Sequence, residues 1–207
     1  MTEGKAAARK RFDRWAHRYE RDRRSKANAR VQSAALSALA LQATDRFLDI
    51  GCGSGAAVRA ASKTAERAVG VDLAPAMIER ARQLASGQRD VAFVVGDSEQ
   101  LPFPDGTFTA VLCSSSFHHY PDPGRALAQM ARVLSPNGRL VIAEPNADLR
   151  AVRIADRVLR RLDAGHVHLY RTDELATLAE AAGFVEIRTT PARRSYFFLS
   201  AHRPASA

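Results

Sequence analysis

Two hydrophobic periodicities divide the chain. Up to residue 42 the apolar positions recur at helical spacing. Phe12, Trp15, Ala16 and Tyr19 share one face of a polar helix predicted over 9–24, and an Ala/Leu-rich helix is predicted over 27–42. Beyond that point short apolar runs alternate with amphipathic stretches. Phe47–Ile50, Ala68–Val71, Val91–Val95, Phe108–Cys113 and Arg139–Ala143 read as strands, with helices predicted over 54–64, 75–86 and 123–134. Pro75 suits a first helical turn, and Asn137-Gly138 reads as a turn. Such alternation implies parallel strands with right-handed crossovers and helices on both faces, an α/β doubly wound sheet. An amphipathic helix follows at 146–163, with Leu149, Val152, Ala155, Leu159 and Leu162 near one face. Residues 172–182 predict another helix, with Thr172 as N-cap and Gly183 as its stop. Phe184–Thr189 and Ser195–Ala201 alternate as strands around a turn near Pro191.

Composition narrows the class. At 207 residues and 46% hydrophobic content, one domain with its own core is expected. A collagen-like chain, a disulfide miniprotein and a wholly disordered tail are excluded. No apolar run approaches the ~18 residues of a membrane span. The basic N-terminus lacks the apolar stretch of a secretory signal, so export is not expected. Cys52 and Cys113 alone make neither a disulfide framework nor a zinc site, which fits a reducing cytoplasm.

The formal charge of +9 is uneven. Residues 1–30 carry eleven Lys/Arg and four Asp/Glu, or +7, and the remaining residues carry only +2. The pattern divides into a basic helical arm or cap over 1–42 and a core over 43–207. Such an arm is either a solvated helix face or a surface for nucleic acid, anionic lipid or an acidic substrate.

Chemistry concentrates at Asp49-Ile50-Gly51-Cys52-Gly53-Ser54-Gly55, where a strand ends and a helix opens. Glycines there let the backbone turn tightly and approach a ligand. The loop alone also satisfies a permissive dinucleotide motif through Gly51, Gly53 and Ala56. The acids separate the readings. Asp72 ends the second strand, where a carboxylate accepts from a ribose diol, and this is common to nicotinamide enzymes. Asp49 beside the glycines would repel a pyrophosphate. Asp97 ends the third strand. Three acids at adjacent strand ends favour a cofactor carrying a sulfonium and an ammonium and no phosphate.

Phe47–Gly55 resembles motif I of class I S-adenosylmethionine-dependent methyltransferases. Gly70-Val71-Asp72-Leu73 followed by Met77 resembles their second motif. Gly96-Asp97-Ser98-Glu99-Gln100-Leu101-Pro102-Phe103 is similar to a segment of the branch containing ubiquinone- and menaquinone-biosynthesis methyltransferases. Phe117–Pro123, Arg132–Leu140 and the N-terminal Phe12–Glu20 continue the resemblance in order, with Glu20 in place of the usual Asp.

This resemblance implies a Rossmann-like seven-stranded sheet of order 3-2-1-4-5-7-6, strand seven antiparallel, under an N-terminal helical cap. It implies S-adenosyl-L-methionine as cofactor and S-adenosyl-L-homocysteine as product. Asp49, Gly51, Cys52, Gly53 and Gly55 would surround the methionine part, Asp72 and Leu73 the ribose, and Asp97 with Ser98 the adenine. Met77 and Phe103 would pack on adenine or simply belong to the core. Tyr19 would close over the cofactor, with Cys113 and Ser114 beside it at the end of the fourth strand.

The implied reaction is in-line displacement at the methyl carbon, in which orientation and desolvation do much of the work. A base is useful when the acceptor is a phenol, an amine or an acidic carbon. His118 and His119 follow the fourth strand and are the candidate bases, with His119 favoured by the resemblance. His17, Tyr120, His166, His168 and Tyr170 are weaker candidates. The helix at 146–163 would be a substrate-covering lid, a homodimer face or a membrane-surface face. A small-molecule acceptor is the leading reading. A nucleic-acid methyltransferase is disfavoured, because Ser114-Ser115-Ser116-Phe117 is not the Asn/Asp-Pro-Pro-aromatic sequence used on base amines. A non-catalytic S-adenosylmethionine-binding protein is a further alternative, and a nicotinamide dehydrogenase is disfavoured by Asp49 and Asp97.

Overall fold

The computed structural model describes residues 3–21, 23–162, 167–192 and 195–205. Strands β1 (Arg46–Ile50), β2 (Arg67–Asp72), β3 (Val91–Val95), β4 (Phe108–Ser114) and β5 (Leu134–Pro145) run parallel. β6 (Val185–Pro191) and β7 (Tyr196–His202) form an antiparallel hairpin, and β7 pairs antiparallel with β5. The order is β3-β2-β1-β4-β5-β7-β6, as the family resemblance implies.

The sheet forms because β1, β2 and β4 are apolar along nearly their whole length. Phe47, Leu48, Ile50, Val71, Val111 and Leu112 are all at most 1% exposed. Each such side chain contributes about 1.5–3 kcal/mol by leaving water. Helices α3 (Ala56–Ala61), α4 (Pro75–Leu84), α5 (Pro123–Val133) and α7 (Thr172–Ala181) cover the two faces, and α6 (Arg150–Leu162) lies on the surface. Beneath the sheet's start, Asp45 is buried and bonded to the Thr109 hydroxyl at 2.6 Å and to Arg139 at 2.5 Å. Burial works against its ionisation, but these partners and the Gln42 N–H hold its carboxyl below the usual range.

The central strands place the site. Crossovers run outward from β1 to β2 and β3, then the chain returns to β4 on the other side of β1. The loops after β1 and β4 therefore diverge, leaving a crevice at the switch point.

Several element boundaries differ from the pattern-based expectation. The N-terminal helix α1 spans Glu3–Trp15 and tightens into a 3-10 helix over Ala16–Arg21, so the expected helix over 9–24 is broken. Packing of Ala16 against Ala74 and Met77 fixes that break. Helix α2 runs Arg23–Ala38. Thr172 is the first helical residue and not the cap; its hydroxyl donates to Asp148 Oδ2 at 2.7 Å. Residues 135–138 bulge out of the β4–β5 ladder, with Asn137 at φ 60°, so the expected turn sits within the bounds of β5. Among the described residues no helix is long and apolar enough to cross a membrane.

Candidate active site

The glycine loop leaves β1 and is tied to the end of β2. Gly51 and Cys52 N–H groups donate to the Val71 carbonyl at 2.8 and 3.1 Å. Gly53 N–H donates to Asp72 Oδ2 and Ala74 N–H to Asp72 Oδ1, both at 2.9 Å. Asp72 thus holds two strand-end loops at once. Burial pushes its carboxyl up, and these two backbone donors pull against that shift. Gly51 has φ +72°, and a Cβ there would stand 1.9 Å from Ser116 Oγ. Gly55 has φ +77°, and its Cβ would meet the Phe93 ring at 2.4 Å. Only glycine meets both demands at either position.

Asp49 lies beneath this loop, fully buried. Its Oδ2 stands 3.5 Å from Gln32 Nε2, and its Oδ1 has no hydrogen-bond partner among the described residues. Burial, reinforced by the charge of Asp72, pushes its carboxyl up to about 8. A positive charge arriving above the loop would reverse that penalty.

A cavity of about 220 Å³ opens at the strand ends. Gly51, Cys52, Gly53, Asp72, Leu73, Met77, Asp97, Ser98, Tyr19 and Ser114 line it, so ten of the expected cofactor residues come together. His119, Ser116 and Tyr120 close the β4 side. The Ser114 Oγ is buried without a hydrogen-bond partner among the described residues. Three expected residues do not line the cavity. Asp49 lies below the loop, Gly55 packs on Phe93 and Ala81, and Cys113 is enclosed with its Sγ 3.5 Å from the Tyr120 hydroxyl. Phe103 also stays away, stacked edge-on against Phe108 with ring centroids 5.0 Å apart.

The N-terminal helix forms the roof. Lys5, only 7% exposed, donates to Asp97 at 2.7 and 2.9 Å and to Glu99 at 2.5 Å. Burial lowers the ammonium's affinity for its proton, but the bonds to Asp97 and Glu99 outweigh this and leave it raised. Asp13 Oδ1 accepts from the Ala76 N–H at 3.0 Å, fastening α1 to the first turn of α4. Tyr19 meets Trp15 edge-on with centroids 5.0 Å apart and lies over Gly53. Burial, then Asp72 and Asp49, push its hydroxyl up to about 12, so it stays a donor. Lys5 had no signal within its alanine-rich surroundings.

The two histidines separate. His118 is turned away from the cavity, and its Nδ1 is 2.5 Å from Glu144 Oε2. Glu144 Oε1 accepts from the Ser116 and Phe117 N–H groups at 2.9 Å. The fully buried Glu144 therefore braces the loop, and His118 belongs to that brace and not to the cavity wall. A lone acid in the apolar run of β5 was a legible signal of this. His119 faces the cavity, with Nε2 3.2 Å from an Arg11 Nη. A guanidinium only donates, so this contact uses the lone pair of Nε2 and leaves the ring proton on Nδ1. Arg11 also stands over the Phe12 ring, 4.7 Å from its centroid.

The weaker candidates disperse. His17 is exposed. Tyr120 bonds to Ser116 Oγ at 2.8 Å, and His168 Nε2 to Glu174 at 2.7 Å. Tyr170 is buried against Phe117, and His166 lies outside the described residues.

Residues 48–142, which contain the glycine loop and the histidine pair, match the methyltransferase-domain family. Over 220 aligned positions the chain is 31% identical to demethylmenaquinone methyltransferase of Tropheryma whipplei, covering 96% of this chain and 91% of that protein. The chain belongs to the class I S-adenosylmethionine-dependent methyltransferases. This methyltransferase is also 37% identical over 122 residues to 27-O-demethylrifamycin SV methyltransferase of Amycolatopsis mediterranei. That match covers 57% of this chain and 45% of the relative, so the chain spans about half of that relative's length. The crystal structure of the YcgJ protein from Bacillus subtilis shares the fold, with a TM-score of 0.74 at 21% identity over 86% of this chain and 99% of that one.

The cofactor of this methyltransferase is S-adenosylmethionine. The residues present fit it. An unpartnered buried carboxylate oxygen lies below a glycine cradle that a Cβ would fill, and the Arg59 guanidinium at the cavity's edge is bonded to the Ser54 carbonyl of the loop at 2.6 Å.

Proposed function

We propose that this methyltransferase methylates a small-molecule acceptor of the phenol, quinone-like or related metabolite class, with His119 as the base. The observation that carries the reading is the position of His119 on the cavity wall after β4, its companion His118 being spent on Glu144. Relatives named for demethylmenaquinone and 27-O-demethylrifamycin support the same acceptor class.

When bound, S-adenosylmethionine supplies an activated methyl group on a sulfonium. The Gly51–Gly55 loop would cradle the methionine part, with Asp49 beneath it offering the negative charge that its burial otherwise suppresses. Asp72 would accept from the ribose, and Asp97 with the Ser98 N–H would read the adenine above Met77. Tyr19 and Phe12, on the roof, exclude water from the reacting atoms. His119 takes the acceptor proton at Nε2 once Arg11 yields that lone pair. Cys52 and Cys113 are free and buried, which supports a reducing cytoplasmic compartment.

The nucleic-acid reading rests on the basic arm. Part of that charge is committed inside the molecule. Lys5 is bonded to Asp97 and Glu99, Arg11 lies against His119 and Phe12, and Arg9 is 3.7 Å from Asp13.

A labelled-methyl screen over phenols, quinols and RNA, with calorimetry on S-adenosylhomocysteine and NAD, tests the proposal. Labelled small molecules and binding of S-adenosylhomocysteine alone support it. Labelled RNA overturns the acceptor class, and cofactor binding without transfer to any acceptor leaves a non-catalytic binding protein.

A further inference from the structure

Helix α6 sits on the protein the wrong way round for an ordinary surface helix. Its one buried residue is Asp156, whose Oδ1 accepts from Leu169 N–H and whose Oδ2 accepts from Arg160, both at 2.9 Å. Arg153 donates from the same side to the carbonyls of Ala147 and Asp148 at 3.1 and 3.0 Å. The row Arg153, Asp156, Arg160, at spacings of three and four, is thus what fastens the helix. The apolar row Ile154, Val158, Leu162 turns to solvent, with Ile154 66% and Leu162 80% exposed. A globular surface helix normally buries its apolar stripe and exposes its charges. Of the seven exposed large apolar side chains among the described residues, four lie on α6 and a fifth, Leu149, immediately precedes it, so the exposed apolar surface is concentrated here. Arg150, Arg157 and Arg161, all exposed, run in a second row along its edge.

None of the residues of α6 lines the cavity. The helix does stand on the acceptor side. Asp156 holds Leu169, and the neighbouring Val167 and His168 N–H groups donate to the His118 carbonyl at 3.1 and 3.2 Å. The His118 ring lies 4.0 Å from that of His119 on the cavity wall.

We infer that α6 is a docking face for an anionic lipid surface, lying in the plane of the membrane with Ile154, Val158 and Leu162 inserted and Arg150, Arg157 and Arg161 at the headgroups. Charge complementarity selects this occupant. A second copy of the helix would set one arginine row against another. A nucleic acid would pair with the arginines but leave the apolar row in water. An anionic bilayer satisfies both rows together. The inference does not depend on which acceptor is methylated.

The test is flotation of the full chain with phosphatidylcholine vesicles and with vesicles containing about 30% phosphatidylglycerol, a surface of the anionic type that attracts polybasic segments. Binding to the anionic vesicles only, weakened by salt, is expected. Arg150→Gln with Arg157→Gln and Arg161→Gln should lower it about a hundredfold, at about fivefold per arginine. Ile154→Ser with Val158→Ser and Leu162→Ser should abolish it, and because these side chains are exposed, thermal unfolding and S-adenosylhomocysteine binding should be unchanged. Equal vesicle binding by wild type and both triple variants assigns the attraction to the basic arm and overturns the proposal. So does no binding by wild type, or a dimer in sedimentation that the serine variant dissolves.

Discussion

The Lys5 ammonium lies 2.7 Å from Asp97 Oδ2, joining the N-terminal helix to the end of β3 across the cavity. The same ammonium reaches Glu99 at 2.5 Å, so one buried lysine clamps the roof to two acids. Lys5→Ala is expected to speed S-adenosylhomocysteine dissociation about 10- to 150-fold, the ~1.5–3 kcal/mol scale of hydrogen bonds to charged groups. Stability should fall as well, by about 1–3 kcal/mol, because the buried Glu99 and half-buried Asp97 lose their cation. Stopped-flow competition measures the rate. A slower dissociation would show instead that Lys5 competes with the cofactor for Asp97.

Asp49 gives a pH prediction. Its carboxyl in the folded protein stands at about 8, above the ordinary 3.8, so the folded state binds the extra proton. Stability of the ligand-free protein should therefore fall as pH rises from about 4 to 8. A cationic ligand restores the carboxylate, so binding should release a proton and tighten with pH across that window. Asp49→Asn should flatten both trends, weakening cofactor binding while raising the melting temperature most near pH 8. Calorimetry in buffers of different ionisation heat, with thermal scans, checks the sign.

Gly51 admits no side chain. Gly51→Ala would place Cβ 1.9 Å from Ser116 Oγ and 2.5 Å from Ser116 Cβ at a φ of +72°. Overpacking and left-handed strain together should cost about 2–6 kcal/mol. Denaturant unfolding should show that loss, and cofactor binding should disappear even in the folded fraction.

The histidines should behave oppositely. His119→Ala is expected to lower kcat about 10²–10⁴-fold, the usual range for a lost acid–base group, with cofactor affinity within about twofold. His118→Ala unpairs the buried Glu144 and should instead cost about 1–3 kcal/mol of stability. Turnover and thermal unfolding of the two variants, measured side by side, separate a base from a brace.

Much of the core was legible because buried parallel strands are short, apolar and bounded by glycine or acid. β3 at Val91–Val95 matches the pattern reading to the residue, and the glycine loop with Asp72, Asp97 and Ser98 falls at strand ends as read. Local pattern was weaker where long-range packing decides. Helix α1 breaks at Trp15 because Ala16 docks on Ala74 and Met77, distant residues that no nearby periodicity reveals. Glu144 lies one residue beyond the strand read over Arg139–Ala143, and its three partners are brought to it only by the fold.

By itself the sequence determined the strand–helix alternation, the acids beside the glycine loop, and the ordered motifs of a methyltransferase. These rest on hydrophobic period and residue chemistry, which are local. Only the tertiary structure decided that Lys5 clamps the roof, that His119 and not His118 faces the cavity, and that α6 turns its apolar row outward. A helical pattern shows that two faces differ. Which face is buried depends on the partners that the rest of the chain brings against it, here Leu169 holding Asp156 inward and leaving Ile154 and Leu162 in water.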